Sequence, residues 1–333
     1  MTARPLVAVI GTGGTISSLG RNSTDVLDYP DFGTKLAVEE VVSRYPELAQ
    51  LADILPVPFS AVGSTAIGPA EWLELAGIVH RLAAEQPAIT GFVITHGTAT
   101  LEETAYFLHL TLKTDKPVVL VGAQRPASAL STDAGMNLLG ALRTASSPAA
   151  RGLGTLVVLN DEIQSAREVT KTSTYRLQTF RSPDFGVLGH VDGDGVHLYR
   201  RPLRRHAPHT EFETAGLTTL PRVDIAYSYA GNDGVAVDAL VAAGTLGIVS
   251  AGFAPGIPAP LERAALERAS DAGVVIVQAS RAGSGRIALR RYLETAGMVA
   301  ADNLNPQKAR ILLMLALTRR RDIADIRRMF ATY

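Results

Sequence analysis

No cysteine occurs among the 333 residues. That excludes disulfides, thiolate metal sites and cysteine nucleophiles together, and it fits a reducing compartment. A net charge is missing as well. Lys+Arg and Asp+Glu stand at 32 each, so no global field draws the chain to nucleic acid or to an anionic membrane. The N-terminal stretch "MTARPLVAVIGTGGTIS" has one short apolar run that passes straight into a turn. No signal peptide or membrane span is expected from it, and the cytoplasm is the default location. There is no HExxH, and His206-x-x-His209 lacks acidic partners at useful spacing; neither a metal nor a cofactor is expected. Internal repeats, heptads and low-complexity tracts are absent too.

What the chain does have is enough apolar residue, 47%, for sizeable cores, and a length that favours two domains. Short β-branched runs at 5–11, 91–95, 116–123 and 154–161, then at 222–229, 246–252 and 273–280, alternate with helical patterns. Their continuous apolar character suits strands covered on both faces, the mark of a mostly parallel α/β sheet. Helix starts are expected at Pro69, after Thr100 with Glu103 completing a capping box, and at Asn305-Pro306. The stretch "GHVDGDGVHLYR" (189–200) signals a hairpin, and the polar, basic residues after it read as a linker. These boundaries give an N-terminal α/β domain over 1–205, a linker over 206–221 and a smaller C-terminal α/β domain over 222–333.

Two stretches share one design. "LVAVIGTGGTIS" is a strand entering a Gly-rich turn with Thr12 and Thr15. "GFVITHGTATLEE" is a strand entering a turn with Thr98 and Thr100. Ligands of open parallel sheets bind outside the carboxyl ends of the strands, where strand order reverses, so the two turns are candidates to face one crevice. Taken alone, the first turn is better explained by backbone needs at Gly11, Gly13 and Gly14. It lacks the third glycine of a dinucleotide fingerprint and the Lys-Ser/Thr of a phosphate loop. Thr100 is explained by capping, whereas Thr98 and His96 are not. A threonine nucleophile needs a base and N–H groups for the oxyanion, and Lys171 in "REVTKTSTYR" is a candidate base if burial holds it neutral.

The stretches "GTGGTIS", "VITHGTATLEETAYFL", "KPVVLVGAQRP", "EVTKTSTYRLQTF" and "LNPQKARILLMLALT" together resemble the bacterial type I/II L-asparaginases, amidohydrolases with a threonine nucleophile. The similarity runs nearly end to end in the family's order. It implies a flavodoxin-like N-terminal domain and a smaller C-terminal α/β domain. It also implies a homotetramer of tight dimers, with each site between one subunit's N-terminal domain and its neighbour's C-terminal domain. By position, the resemblance makes Thr15 the nucleophile and Tyr29, in "LDYPDFG", the flap tyrosine that helps activate it. Thr98 and Lys171 match the second threonine and the lysine, and Ser64 the serine that binds the substrate's α-carboxylate. Gly14, Gly63, Thr65, Gly97 and Ala99 fall in the same substrate-binding turns.

The departures from the family share a direction. Ala99 stands where the family has the Asp that pairs with the substrate's α-ammonium. Thr65 replaces a glutamine that helps hold the amino group, Arg290 aligns with an acidic residue from the neighbouring subunit, and Pro255 replaces an asparagine. The expectation is therefore an amidohydrolase acting on a small carboxamide, more readily on one without a free ammonium than on asparagine itself. The alternative is a non-catalytic homologue used as a binding or regulatory protein.

Overall fold

The computed structural model describes residues 4–319 and 322–333, which divide into two compact units with the boundary after Ala215. Strands of the first unit are β1 (Leu6–Gly13), β2 (Ser18–Leu19), β3 (Thr34–Lys35), β4 (Asp53–Val62), β5 (Ile89–Thr95), β6 (Val118–Val121) and β7 (Thr155–Leu159). They continue with β8 (Glu162–Ser165), β9 (Thr170–Lys171), β10 (Phe180–Arg181), β11 (Gly189–Asp192) and β12 (Gly195–Leu198). Its helices are α1 (Tyr29–Phe32), α2 (Val38–Ser43), α3 (Pro69–Glu85), α4 (Leu101–Thr111) and α5 (Ala134–Ser146).

The main sheet has eight strands in the order β12-β11-β8-β7-β6-β5-β1-β4. β4, β1, β5, β6 and β7 run parallel, and the rest extend the sheet antiparallel. The parallel part has the flavodoxin-like order, and its reversal lies between β1 and β5. Val7, Val9, Val93, Val119 and Val121 point into one core with Leu138 and Leu142 of α5. Ala8, Ile10, Phe92, Ile94 and Leu120 are equally buried on the other face. Burial on both sides is why these strands read as unbroken apolar runs.

The sequence missed β4 because "DILPVPFSAV" carries two prolines. The structure makes it the sheet's edge, paired only with β1, with Pro56 opposite Val9 and Pro58 opposite Gly11. Residues two apart send their N–H positions to the same side, so both missing donors belong to the open edge, where a strand tolerates proline. The expected hairpin is present as β11 and β12, joined to the sheet through β8. Part of the segment read as a linker is tied to the first unit. Phe212 is fully buried, Thr210 Oγ1 donates to the Leu110 carbonyl, and Lys113 Nζ donates to the Thr210 carbonyl.

The second unit holds β13 (Val223–Tyr227), β14 (Gly247–Gly252), β15 (Val275–Ser280) and β16 (Val299–Ala300), a parallel four-stranded sheet. Around it lie α6 (Val235–Ala242), α7 (Pro260–Asp271), α8 (Arg291–Thr295), α9 (Pro306–Arg319) and α10 (Ile323–Thr332). Asn305 caps α9 as read from the sequence, its Oδ1 accepting from the Lys308 N–H at 3.0 Å. No helix among the described residues is long and apolar enough to cross a membrane.

β5 and α5 meet backbone to backbone at Gly91, where a methyl group would sit 2.1 Å from the Ala145 carbonyl oxygen. Because that atom is main chain, strand and helix would have to separate. Gly91→Ala is expected to lower stability by about 1–3 kcal/mol, read as a lower urea midpoint with an unchanged slope.

Candidate active site

The first turn follows from two glycines at the end of β1. Gly13 and Gly14 adopt φ of 102° and 84°, which turns the chain so that Thr15 opens a 3-10 turn, Thr15–Ser17. The Gly14 N–H donates to the Val62 carbonyl at 2.9 Å. The Gly14 carbonyl accepts from the hydroxyls of Ser17 and Ser18, each at 2.9 Å. Thr12 is not presented at this turn, contrary to the sequence reading. It is buried and its hydroxyl donates to the Thr95 carbonyl, fastening β1 to β5.

The second turn, at the end of β5, presses against the first. A methyl group on Gly14 would lie 2.2 Å from the Gly97 Cα, and one on Gly97 would lie 2.9 Å from Ser64 Cβ. Three turns thus converge on one point. Thr100 corrects another expectation. It occupies the N-cap position of α4 without a side-chain cap bond, because its hydroxyl donates to the Ser64 carbonyl at 2.7 Å. The predicted capping hydroxyl ties two of the site's turns together instead.

Between the turns lies a cleft of about 260 Å³. Its walls are Gly14, Thr15 and Tyr29 from the first turn and its flap, Gly63, Ser64 and Thr65 from the turn after β4, and Gly97, Thr98, Ala99 and Lys171. Ser18, Pro30 and Lys35 also line it; sequence reading did not single them out, and only Ser18, beside "GTGGTIS", had a nearby signal. Ser64 and Thr98 are nearly buried, at 6% and 7% exposure, whereas Gly63, Thr65 and Ala99 form an exposed rim.

Two hydroxyls in the cleft each have a proton-exchanging partner. Thr15 Oγ1 and Tyr29 Oη are 2.9 Å apart, and burial pushes the Tyr29 phenol above its usual range. The flap that brings Tyr29 there is held by Asp25, whose carboxylate accepts from the N–H groups of Arg21, Asp28 and Tyr29. The second pair is Lys171 Nζ donating to Thr98 Oγ1 at 2.7 Å. Burial pulls the Lys171 amine below the ordinary lysine value, as the sequence reading requires of a base. Its backbone is fixed by Glu102, a buried carboxylate of α4 that accepts from the Lys171 N–H and from the Thr170 hydroxyl.

His96 supports the second turn from below. The Trp72 indole N–H donates to Thr104 Oγ1 at 2.9 Å, and Thr104 Oγ1 lies 2.9 Å from His96 Nε2. Because the Gly97 carbonyl beside Nδ1 can only accept, the neutral ring accepts from the Thr104 hydroxyl at Nε2. Nδ1 is then the protonated nitrogen, donating to the Gly97 carbonyl at 2.8 Å. Complete burial pushes the pKa of His96 down to about 4, which keeps the ring in this neutral tautomer.

Other expected residues lie elsewhere. Arg290, expected at a neighbouring subunit's site, belongs to the second unit, where its guanidinium donates to the Gly256 carbonyl at 2.7 Å. Pro255 is in the same unit, in the turn between the bridged residues Phe253 and Ile257. His206 packs on His109 and bonds the carbonyls of Arg204 and Gly152. Among the described residues, Asp192, Asp194 and His197 bring three ligand-type atoms within 4.8 Å. They lie on the β11–β12 hairpin, where His197 Nε2 and Asp194 Oδ1 already pair at 3.0 Å.

The unfolded chain protonates His96 near 6.5 and the folded chain near 4. Between those values the unfolded state binds more protons, so stability falls as pH drops through the window. His96 is expected to supply about 3 kcal/mol of that loss. Unfolding free energies of the native protein and His96→Gln, measured from pH 7 to pH 4, should show a flatter slope in the variant.

Comparison with known proteins identifies the family. Residues 6–204 match the asparaginase N-terminal family model, and residues 222–330 match the glutaminase/asparaginase C-terminal domain. L-asparaginase 2 of Bacillus subtilis (strain 168) is 40% identical over 329 residues, which cover 99% of this chain and 87% of that protein. A probable periplasmic L-asparaginase of Haemophilus influenzae is 39% identical over 331 residues, covering 99% and 93%. Among solved structures, the probable cytoplasmic L-asparaginase of Campylobacter jejuni superposes with a TM-score of 0.94 at 40% identity, covering all of both chains. The chain belongs to the asparaginase family of amidohydrolases.

Proposed function

We propose that this enzyme hydrolyses the side-chain carboxamide of an asparagine-like acid whose α-nitrogen carries no positive charge, such as an N-acylated asparagine or a succinamate-like amide. The observation that carries this reading is the charge of the cleft: its lining includes two lysines and no carboxylate. An α-ammonium entering it would lose water without gaining a counter-charge, whereas a charge-assisted hydrogen bond is typically worth about 1.5–3 kcal/mol. Ala99, at the exposed rim, is where the resemblance calls for that counter-charge.

In the proposed reaction, Thr15 Oγ attacks the amide carbon while Tyr29 manages its proton, and turn N–H groups hold the oxyanion. The C–N bond breaks, nitrogen takes a proton and leaves as ammonia, and the acyl group stays on Thr15 as an ester. Water, activated by the Thr98–Lys171 pair, then hydrolyses the ester and restores the threonine. Ser64 holds the substrate's carboxylate. The proposal includes a homotetramer of tight dimers with a neighbour's Arg290 at the cleft rim. It also includes action in the cytoplasm. The lack of cysteine supports that location, as does likeness to the Campylobacter jejuni protein, named cytoplasmic, although the Haemophilus relative is named periplasmic.

Steady-state assays with asparagine, glutamine, N-acetyl-asparagine and succinamate test the substrate. The uncharged-nitrogen compounds should exceed asparagine in kcat/KM, and Ala99→Asp should raise asparagine by about tenfold or more relative to them. Efficient turnover of asparagine with no gain on the modified amides would sink the reading. A second check concerns Lys171. As a neutral base it becomes active when it loses its proton, so activity should rise with pH through a value below that of an ordinary lysine. Lys171→Met should remove this rising limb and lower kcat by about 10²-fold or more.

A further inference from the structure

Lys35 is a cleft-lining side chain with no part in the chemistry above. It is half-buried and firmly mounted. β3 pairs antiparallel with β2, putting Lys35 opposite Ser18, and the next residue, Leu36, donates its N–H to the Ser17 carbonyl at 2.7 Å. Ser17 and Ser18 are in turn bonded through their hydroxyls to the Gly14 carbonyl, so the strand bearing Lys35 is built onto the turn of Thr15. Among the described residues, the Lys35 ammonium has no hydrogen-bond or ion-pair partner.

The other cation of the cleft, Lys171, is engaged with Thr98, and Ser64 is assigned to the α-carboxylate. One ammonium without a partner therefore remains, carried on a strand that is tied to the turn of Thr15, in a cleft whose lining has no carboxylate. A charge held there lacks compensation until an anion arrives with the ligand. We propose that Lys35 receives a second carboxylate of the substrate, which makes the substrate class an ω-amide that is dianionic and carries no ammonium. This rests on the reading that the Thr15 cleft hydrolyses a carboxamide with an uncharged α-nitrogen. It adds what the acyl or α-substituent bears: a terminal carboxylate.

N-succinyl-asparagine and N-butyryl-asparagine have acyl chains of matching length and differ in that carboxylate. The native enzyme should favour the succinyl compound by about tenfold in kcat/KM, mainly through KM. The preference should shrink as salt rises, because the contact is charge on charge. Lys35→Gln should bring the ratio close to one, while Lys35→Arg should retain it; thermal unfolding of both variants controls for misfolding. Equal turnover of the two acyl compounds by the native enzyme, or an unchanged ratio in Lys35→Gln, would overturn the Lys35 assignment and leave the wider substrate reading standing. Turnover of asparagine with neither acyl compound accepted would instead overturn the wider reading, and this assignment with it. Inactivity on every amide would overturn both.

Discussion

The contact between the Gly14 and Gly97 backbones is the constraint on which the rest of the site depends. Two strands adjacent at the reversal of the sheet leave on turns that must come nearly into main-chain contact, and a single methyl group at Gly14 would lie 2.2 Å from the Gly97 Cα. The approach is possible only because Gly14 lacks a side chain and takes a left-handed conformation. Two hydroxyls of the cleft are then carried one residue further along. Thr15 follows Gly14 and Thr98 follows Gly97, so the closeness of the glycines decides that the two hydroxyls share a cleft. The third turn joins through Ser64, against which Gly97 packs and whose carbonyl Thr100 holds.

Around that contact the chain separates support from chemistry by burial. Trp72, Thr104 and His96 form a one-directional chain of hydrogen bonds that ends on the Gly97 carbonyl, entirely out of water. Its direction is fixed at one end by an indole that can only donate and at the other by a carbonyl that can only accept. Glu102 plays a comparable part from α4, accepting from the strand that carries Lys171. The groups facing the cleft are the ones whose protons can move, Tyr29 beside Thr15 and Lys171 beside Thr98. Burial shifts both toward neutrality, the phenol upward and the amine downward. A neutral amine accepts a proton, whereas an ordinary surface lysine at neutral pH cannot.

How much of this was legible in the sequence follows from what each signal encodes. The central strands were readable because burial on both faces leaves unbroken apolar runs, and β4 was not, because prolines on an open edge look like a break. The glycine-threonine turns showed their shape and, through the strand-end rule, a shared crevice, but not which strands bring them into contact. The contact depends on strand order, which local pattern does not carry, and it was the resemblance to a family that gave Thr15, Thr98 and Lys171 their separate roles. Thr12 and Thr100 were misread for a common reason. A hydroxyl near a strand end or helix start has a local use by default, and both instead bond carbonyls far along the chain. Lys35 and Asp25 gave no signal, since a lone lysine or aspartate in a loop ordinarily faces solvent.

Charge balance in the cleft links its catalytic groups to the ligand it can accept. In a family whose members bear names such as L-asparaginase 2, a site for a free amino acid must meet both an anion and a cation. Here the side chains around the cleft offer ammonium and hydroxyl groups alone. A missing carboxylate is more than one lost contact, because the positive charges it would have balanced remain. Lys171 can respond by giving up its proton, as its lowered pKa allows. Lys35, carried on the strand beside the nucleophile's turn, is the cleft's other cation, and on the proposed reading an anion brought in with the ligand matches it. On the same reading, the lack of a carboxylate that makes a cation unwelcome in the cleft also makes a second anion welcome.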